Sequence, residues 1–465
     1  MTFFLVAHTC CRGRLRPVAA NGPIHVQFAY DSWRCRFASV YEVRAYPPRK
    51  SVSITSRIRD KNIWLVYGTI FSVGIAYGLS IALIPLFLDS HGFGKAAMGG
   101  LAAIFASGIC LLSLPMGRIL RRFSAKGTLV ACLLGYSVCV TLFPYLKSFT
   151  GVSIARFLDG AFSVGVWVSC ETVLLARASK ENKAFVTSLY AMSLAIGYII
   201  GPIVSKGIVA FFPVEVAFVG AGILALVAAG IASRLDGGIS GHEDEPAGAS
   251  PSQSEPVLEG PPRPLAWRTK TSLFATFSYG YFQSSAVLFL PLYLMKERNV
   301  AEKDTILVTA FFALGMLVFS NYAGKLGDRY GHLTTMRTLA MIGFFAVASF
   351  VFQSSFPLMC FTVFVVGATL ASISPVSLAL QGVITQKNEI AKANAIYNTF
   401  YAAGMLVGPP LSGLVFERIG GRTMIFHFSL LWLAFAVFAT IFAKDDPAAQ
   451  ARARAKAEGA AVAGG

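Results

Sequence analysis

The chain has 465 residues, 55% of them hydrophobic and 14% charged, with a mean hydropathy of +0.62. A water-soluble domain carries nearer a quarter charged residues, so a soluble fold is excluded. The formal net charge is +17, yet no basic helix or aromatic–basic module stands clear of the apolar blocks, which argues against nucleic acid as a partner.

Residues 1–60 form an N-terminal extension. Its first 50 residues hold seven Arg and Lys50 against only Asp31 and Glu42. The apolar "FFLVA" run is too short for a secretory signal, which leaves an organelle transit peptide or a misassigned start codon. The segment is expected to be disordered and without a part in the main activity. Six apolar blocks follow at about 63–88, 97–118, 127–147, 152–175, 184–205 and 208–233. Residues 236–266, "DGGISGHEDEPAGASPSQSEPVLEGPPRPLA", are rich in Pro, Ser, Gly and acids and read as a flexible linker. Six more blocks lie at about 270–295, 304–325, 335–353, 357–382, 391–415 and 423–443, before a tail at 445–465. Each block is roughly 20 residues, enough for a helix to cross ~30 Å of hydrocarbon with its backbone satisfied internally. The expectation is an all-α integral membrane protein with 12 transmembrane helices in two pseudo-symmetric six-helix bundles, 61–235 and 267–444.

Lys and Arg fall unevenly on alternate loops. Near the membrane, segments on the side of the linker and both termini hold 23, and the opposite loops hold 8. Both termini are therefore expected in the cytoplasm, with the chain in the plasma (inner) membrane. The eight cysteines show no CxxC pair and no His/Cys spacing, so neither a metal nor a cofactor is implied.

The two sets of blocks repeat one another. Gly117 and Gly324, Gly160 and Gly367, and Tyr190 and Tyr397 are each 207 residues apart. Gly197, Gly201 and Pro202 in "GYIIGP" recur at the same offset as Gly404, Gly408 and Pro409 in "GMLVGP". Agreement at one offset across several blocks marks an internal duplication, a plan common among transporters.

The segment "GKLGDRYGHL", residues 324–333, resembles the loop signature G-x-L-x-D-[RK]-x-G-[RK]-[RK] of the major facilitator superfamily. "GYIIGP" is similar to the fifth-helix signature of that family's drug/proton antiporter branch, and "RFLDG" (156–160) to its fourth-helix R-x-x-Q-G signature. The resemblance covers residues 60–445. It implies alternating access about a central cavity lined by the first, fourth, seventh and tenth helices, and a gating latch at the signature loops.

The residues themselves suggest how such a device would be built. Gly324, Gly327 and Gly331 would let the chain turn at the membrane surface, and Asp328 could accept from a helix N-terminus or pair with Arg329 or Arg337. The first copy, with Gly117, Arg121 and Arg122, lacks the acid and cannot make the carboxylate latch. A solvated loop that only fixes topology is the simpler reading of both. Gly197, Gly201 and Pro202, and their repeats Gly404, Gly408 and Pro409, leave flat helix faces for close packing; the resemblance places the fifth helix across the interface between halves. On the fourth block, Arg156, Asp159, Ser163, Trp167 and Glu171 fall on one face at 100° per residue, a stripe that lipid would not tolerate. Tyr77 in the first block, Tyr279, Tyr281 and Gln283 in the seventh, and Ser374, Ser377 and Gln381 in the tenth are further lining candidates. Asp159 is the candidate proton or substrate coupler, against the alternative of a structural pair with Arg156 at i, i+3; Glu171 could instead snorkel to the interface.

No GxxxxGK[ST] motif is present, so ATP is not the expected fuel. No nucleophile–base constellation points to an enzyme. The leading expectation is a monomeric secondary transporter that couples protons to export of an amphipathic organic molecule. Uptake or facilitated passage of a polar metabolite such as a sugar, or of an organic anion held by Arg156, stays open. So does a transporter-like sensor that binds solute without moving it.

Overall fold

A computed structural model describes residue 58 and residues 60–178, 183–236, 264–385 and 389–443. The readings for the extension, the central linker and the tail therefore lie mostly outside the described residues. Among the described residues are twelve long helices: α1 (Lys61–Ser90), α2 (Lys95–Phe123), α3 (Ala125–Leu142), α4 (Phe149–Arg177), α5 (Lys183–Phe211), α6 (Val214–Ala232), α7 (Lys270–Arg298), α8 (Val308–Tyr330), α9 (His332–Phe350), α10 (Phe356–Ile384), α11 (Ile390–Arg418) and α12 (Gly421–Ile441). Eleven of them are apolar and long enough to span a bilayer. The exception, α7, carries the polar run "TFSYGYFQSS" through its middle, the composition of a helix that faces protein or water rather than lipid.

Local chemistry sets the helix starts. Asp60 caps α1 by accepting from the Asn62 backbone N–H at 2.8 Å, and Ser148 caps α4 by accepting from Gly151 N–H at 3.1 Å. The outer helices show which faces meet lipid. Leu134 and Val138 on α3, Ile223 on α6, Phe345 on α9 and Leu430 on α12 are exposed apolar side chains, whereas α1 is buried along nearly its whole length.

Glycine lets the helices cross closely, and it does so twice by the same rule. A methyl group on Gly160 of α4 would overlap the Phe105 carbonyl of α2, and one on Gly367 of α10 would overlap the Phe312 carbonyl of α8. Both pairs are related by the 207-residue offset. Gly197 and Gly201 pack against Gly74 and Gly78 of α1, and Gly404 and Gly408 against the α7 backbone at Phe277 and Tyr281. The glycine faces themselves pack within their own halves, while the helices that carry them also cross the interface as the resemblance implies: α5 packs against α8 and α11 against α2, where the Pro409 carbonyl sits over Gly99.

The signature segment is also not the loop its glycines suggested. Helix α8 runs on through Gly324, Gly327, Asp328 and Arg329 to Tyr330, and only Gly331, at φ +98°, turns the chain into α9. A helix satisfies its own backbone, so one left-handed residue suffices to reverse direction. In the first copy Ser124 holds that position at φ +63° and uses its hydroxyl to accept from Gly127 N–H. Asp328 is 77% exposed and pairs with His332 at 3.4 Å rather than with Arg329 or Arg337. Arg329 lies over the neighbouring Tyr330 ring, and Arg122 over Phe123. The side chain of Arg121 lies outside the described residues, and Gly117 is an exposed helical residue of α2.

The end of the bundle opposite these turns is sealed. Asp89 at the end of α1 accepts from Lys296 of α7 at 2.6 Å and from Lys95 at 2.9 Å. Lys206 of α5 donates to Asp304, just before α8, at 2.7 Å, and Glu417 of α11 accepts from the Ala96 backbone N–H of α2 at 2.7 Å. Asp89 and Lys296 lie at the corresponding ends of α1 and α7, the first helices of the two repeats, so this ion pair ties one half to the other. Toward the turn end α2 and α11 part. Ser113 lies on the same face of α2 as Gly99, and Asn398 on the same face of α11 as Pro409, and both are exposed. The cleft between the halves thus opens at the end that carries the signature turns.

Candidate substrate and coupling site

Four side chains predicted from the α4 and α1 sequences converge in the first half. Arg156 Nη1 donates to Asp159 Oδ2 at 2.5 Å, Ser163 Oγ donates to Asp159 Oδ1 at 3.4 Å, and Tyr77 Oη donates to Ser163 Oγ at 2.5 Å. The side chains of Arg156 and Asp159 are only 10% and 16% exposed. The guanidinium also lies 4.3 Å over the Phe105 ring. Two opposite charges in a dry site are tolerable only because each neutralises the other, and the aromatic face adds a second partner for the cation. Arg156 therefore presents no free positive charge to the cleft in this state.

Aromatic rings surround this network. Tyr77 lies 4.7 Å from Tyr136, 6.0 Å from Trp167 and 6.3 Å from Tyr198, with which it stacks. The Trp167 indole N–H is buried without a hydrogen-bond partner among the described residues. Tyr198, on α5, is near enough to Tyr279 and Tyr401 of the second half to interact with them electrostatically. Tyr279 and Tyr401 are 6.0 Å apart, and Tyr401 Oη donates to Gln283 Oε1 at 3.0 Å. The rings form a band from one half to the other at the closed floor of the cleft.

Glu171 lies two helical turns from Ser163 on α4, at the open end. It is exposed and makes no ion pair among the described residues. The exposed apolar residues Ile154 and Leu158 lie roughly 100–140° round the helix from it, so its carboxylate points away from the lipid side and into the cleft.

The second half holds its polar residues differently. Ser377 and Tyr397 hydroxyls meet at 2.7 Å, Tyr397 Oη donates to the Ser374 carbonyl at 3.0 Å, and Gln381 Nε2 donates to Asn394 Oδ1 at 2.9 Å. This arrangement follows from Pro375, which has no N–H for the Ala371 carbonyl and whose ring would clash there. The helix widens into a π-turn at Gly367–Ala371 to accommodate it. Tyr281 is not where the sequence reading put it. It is buried and shares a 2.7 Å hydrogen bond with His427 Nε2 of α12, facing away from the cleft. At 100° per residue Tyr279 and Tyr281 differ by 200°, so both could not line one surface.

Sequence reasoning missed Phe105, Tyr136, Tyr198 and Tyr401. Tyr198 lies inside "GYIIGP", where the packing signal is carried by Gly197, Gly201 and Pro202 alone. Tyr136 and Tyr401 lie on helices whose faces a single sequence does not orient.

Comparison with known proteins agrees with this architecture. The chain is 20% identical to an uncharacterised MFS-type transporter of Methanocaldococcus jannaschii, over 80% of this chain and 95% of that one. It is 25% identical to "Probable anion transporter 6, chloroplastic" of Arabidopsis thaliana, over 81% of this chain and 80% of the relative. The fold superposes on the nucleoside transporter NupG with a TM-score of 0.65 at 13% identity, covering 82% of this chain and 98% of that one. The family model described as Major Facilitator Superfamily matches residues 66–270 and 272–464. Twelve helices in two repeats, a cleft closed at one end and a match over most of the length make one statement: this chain is a membrane transporter that belongs to the Major Facilitator Superfamily.

Proposed function

We propose that the transporter exchanges protons for an amphipathic organic cation and exports it, as in the drug/proton antiporter branch. One observation carries the reading: Arg156 is fully engaged by Asp159 and Phe105, while Glu171 offers a free carboxylate to the same cleft. With the Arg156–Asp159 pair neutral, the α4 face carries one net negative charge. The aromatic band supplies apolar surface and cation–π contacts. Such a site favours a flat, positively charged, lipophilic solute.

Coupling follows from the pair. A proton on Asp159 cancels the carboxylate and leaves Arg156 positive beside the substrate. At about 8 Å and an effective dielectric of about 20, one added unit charge is worth about 2 kcal/mol, a roughly thirtyfold loss of cation affinity. Proton and cation then exclude each other, the condition for exchange. On the Lys/Arg distribution the turn end is cytoplasmic, so the state described faces inward with its outer end latched, both termini inside and the plasma membrane its seat. Loading from the cytoplasm, release of the outer latch and proton entry would complete the cycle.

A second reading has support in the name of the Arabidopsis relative. If a substrate carboxylate replaced Asp159 on Arg156, the same protonation would admit an anion. A thermal-shift screen of the purified protein in detergent separates the two. A ligand that binds only the folded state stabilises it by about 2.7 kcal/mol at a hundredfold excess over its dissociation constant. Stabilisation by tetraphenylphosphonium that weakens at low pH, and weakens in Glu171→Gln, supports cation exchange. Stabilisation by aromatic carboxylates that strengthens at low pH would move the assignment to anions.

A further inference from the structure

An open groove of about 490 Å³ follows the seam between α9 and α12 on the outside of the second half. Its walls are Arg337, Thr338 and Met341 of α9 and Leu433, Val437 and Ile441 of α12, with no acid among the lining residues. Arg337 is five residues into α9, about 7.5 Å along its axis at 1.5 Å per residue. Ile441 is the last residue of α12 at the same end. The cation therefore sits near the bilayer interface while Met341, Leu433 and Val437 continue toward the hydrocarbon.

Arg337 is available. Asp328, the acid nearest in sequence, is turned to His332, and Arg337 has no ion pair or hydrogen bond among the described residues. A guanidinium at the edge of lipid, over an apolar trough and without a carboxylate, lacks only a counterion. Thr338 is exposed beside it and can add a hydroxyl donor. The repeat supplies an internal contrast: the position equivalent to Arg337 in α3 is Val130, so the cation arose in one half only and is not part of the shared packing plan.

We propose that this groove is a binding site for one anionic glycerophospholipid, with its phosphate on Arg337 and one acyl chain between α9 and α12. The phosphate takes the bidentate guanidinium, and the chain covers Leu433 and Val437. The site lies outside the cleft, so occupancy would act on the second half as a structural ligand rather than as transported solute.

The test titrates dioleoyl phosphatidylglycerol into the full-length protein in neutral detergent and reads thermal stability, with dioleoyl phosphatidylcholine as the matched control. Phosphatidylglycerol should stabilise the protein at lower concentration than phosphatidylcholine. Arg337→Gln should weaken phosphatidylglycerol about fivefold and abolish the preference. Val437→Trp, which fills the trough, should weaken the stabilisation by phosphatidylglycerol while Arg337 remains. Should Arg337→Gln melt lower without lipid, Arg337→Lys, which keeps the charge, must retain the preference. Equal stabilisation by both lipids, or a preference that survives Arg337→Gln, overturns the assignment. So does a stable dimer whose Val437→Cys side chains cross-link to each other, since the groove would then be occupied by a second copy.

Discussion

Removing the charges that cross the sealed end is expected to open it. Lys296 and Lys206 are 40% and 33% exposed in their pairs with Asp89 and Asp304, so each ion pair is worth about 0.5–1 kcal/mol rather than a buried-pair value. Glu417 accepts from an N–H in the first turn of α2, a cap worth about 1 kcal/mol. Together the three hold the end shut by about 2–3 kcal/mol, and their loss shifts the closed-to-open ratio by about 30- to 140-fold. The combined variant Lys296→Gln, Asp304→Asn, Glu417→Met makes that change with little loss of volume. Single-molecule energy transfer between dyes on His91→Cys and Ile419→Cys reads the separation directly. A long-distance population should grow in the triple variant, and Lys296→Asp, which sets a second acid beside Asp89, should enlarge it more than Lys296→Gln alone. An unchanged distribution in both would refute the assignment of this end as a charge-held latch.

Further expectations concern the core and one helix cap. Asp159→Asn strands Arg156 in a site where the pair is 10% and 16% exposed, and should cost about 3–5 kcal/mol of stability. The double variant Arg156→Gln, Asp159→Asn should recover most of that loss when melting is compared in detergent. Gly160→Val and Gly367→Val place a side chain against the Phe105 and Phe312 carbonyls, and each should cost about 1–3 kcal/mol or more. Gly100→Ala, with nothing within 4 Å, should leave the size-exclusion profile after heating unchanged. Burial opposes ionisation of Asp60, but hydrogen bonds from the Asn62 backbone and amide, and from Arg177, outweigh it and hold the carboxyl below its usual value of 3.8. A lowered folded-state pKa means the stability Asp60 adds is present above the unfolded value and is lost as pH falls through the folded one. Wild type should therefore lose more stability than Asp60→Asn between neutral pH and about pH 3, measured by melting at each pH.

The helices were legible because lipid leaves the backbone one solution, and the blocks of twenty apolar residues declare it. The α4 stripe was legible for the same reason: Arg156, Asp159 and Ser163 share a face at 100° per residue and had to meet something polar. What could not be read were partners on other helices. Phe105 reaches Arg156 only because Gly160 lets α2 close on α4, and Tyr136 reaches Tyr77 through the packing of α3. Tyr281 misled because neighbouring tyrosines on α7 look alike in sequence but point to opposite sides. The glycines of the signature segment misled in another way. Glycine permits a turn without requiring one, and helix continuity held through Gly324 and Gly327 until Gly331.

The central claim is that protons and an organic cation compete through the α4 face. The direct measurement is tetraphenylphosphonium flux in proteoliposomes under an imposed pH gradient, with proton movement recorded by an internal dye. Counterflow of cation and proton is predicted, with saturable cation flux that falls in Glu171→Gln and loses its dependence on the pH gradient in Arg156→Gln, Asp159→Asn. Cation flux no greater than in protein-free vesicles, alongside saturable uptake of an aromatic carboxylate that requires Arg156, would contradict it.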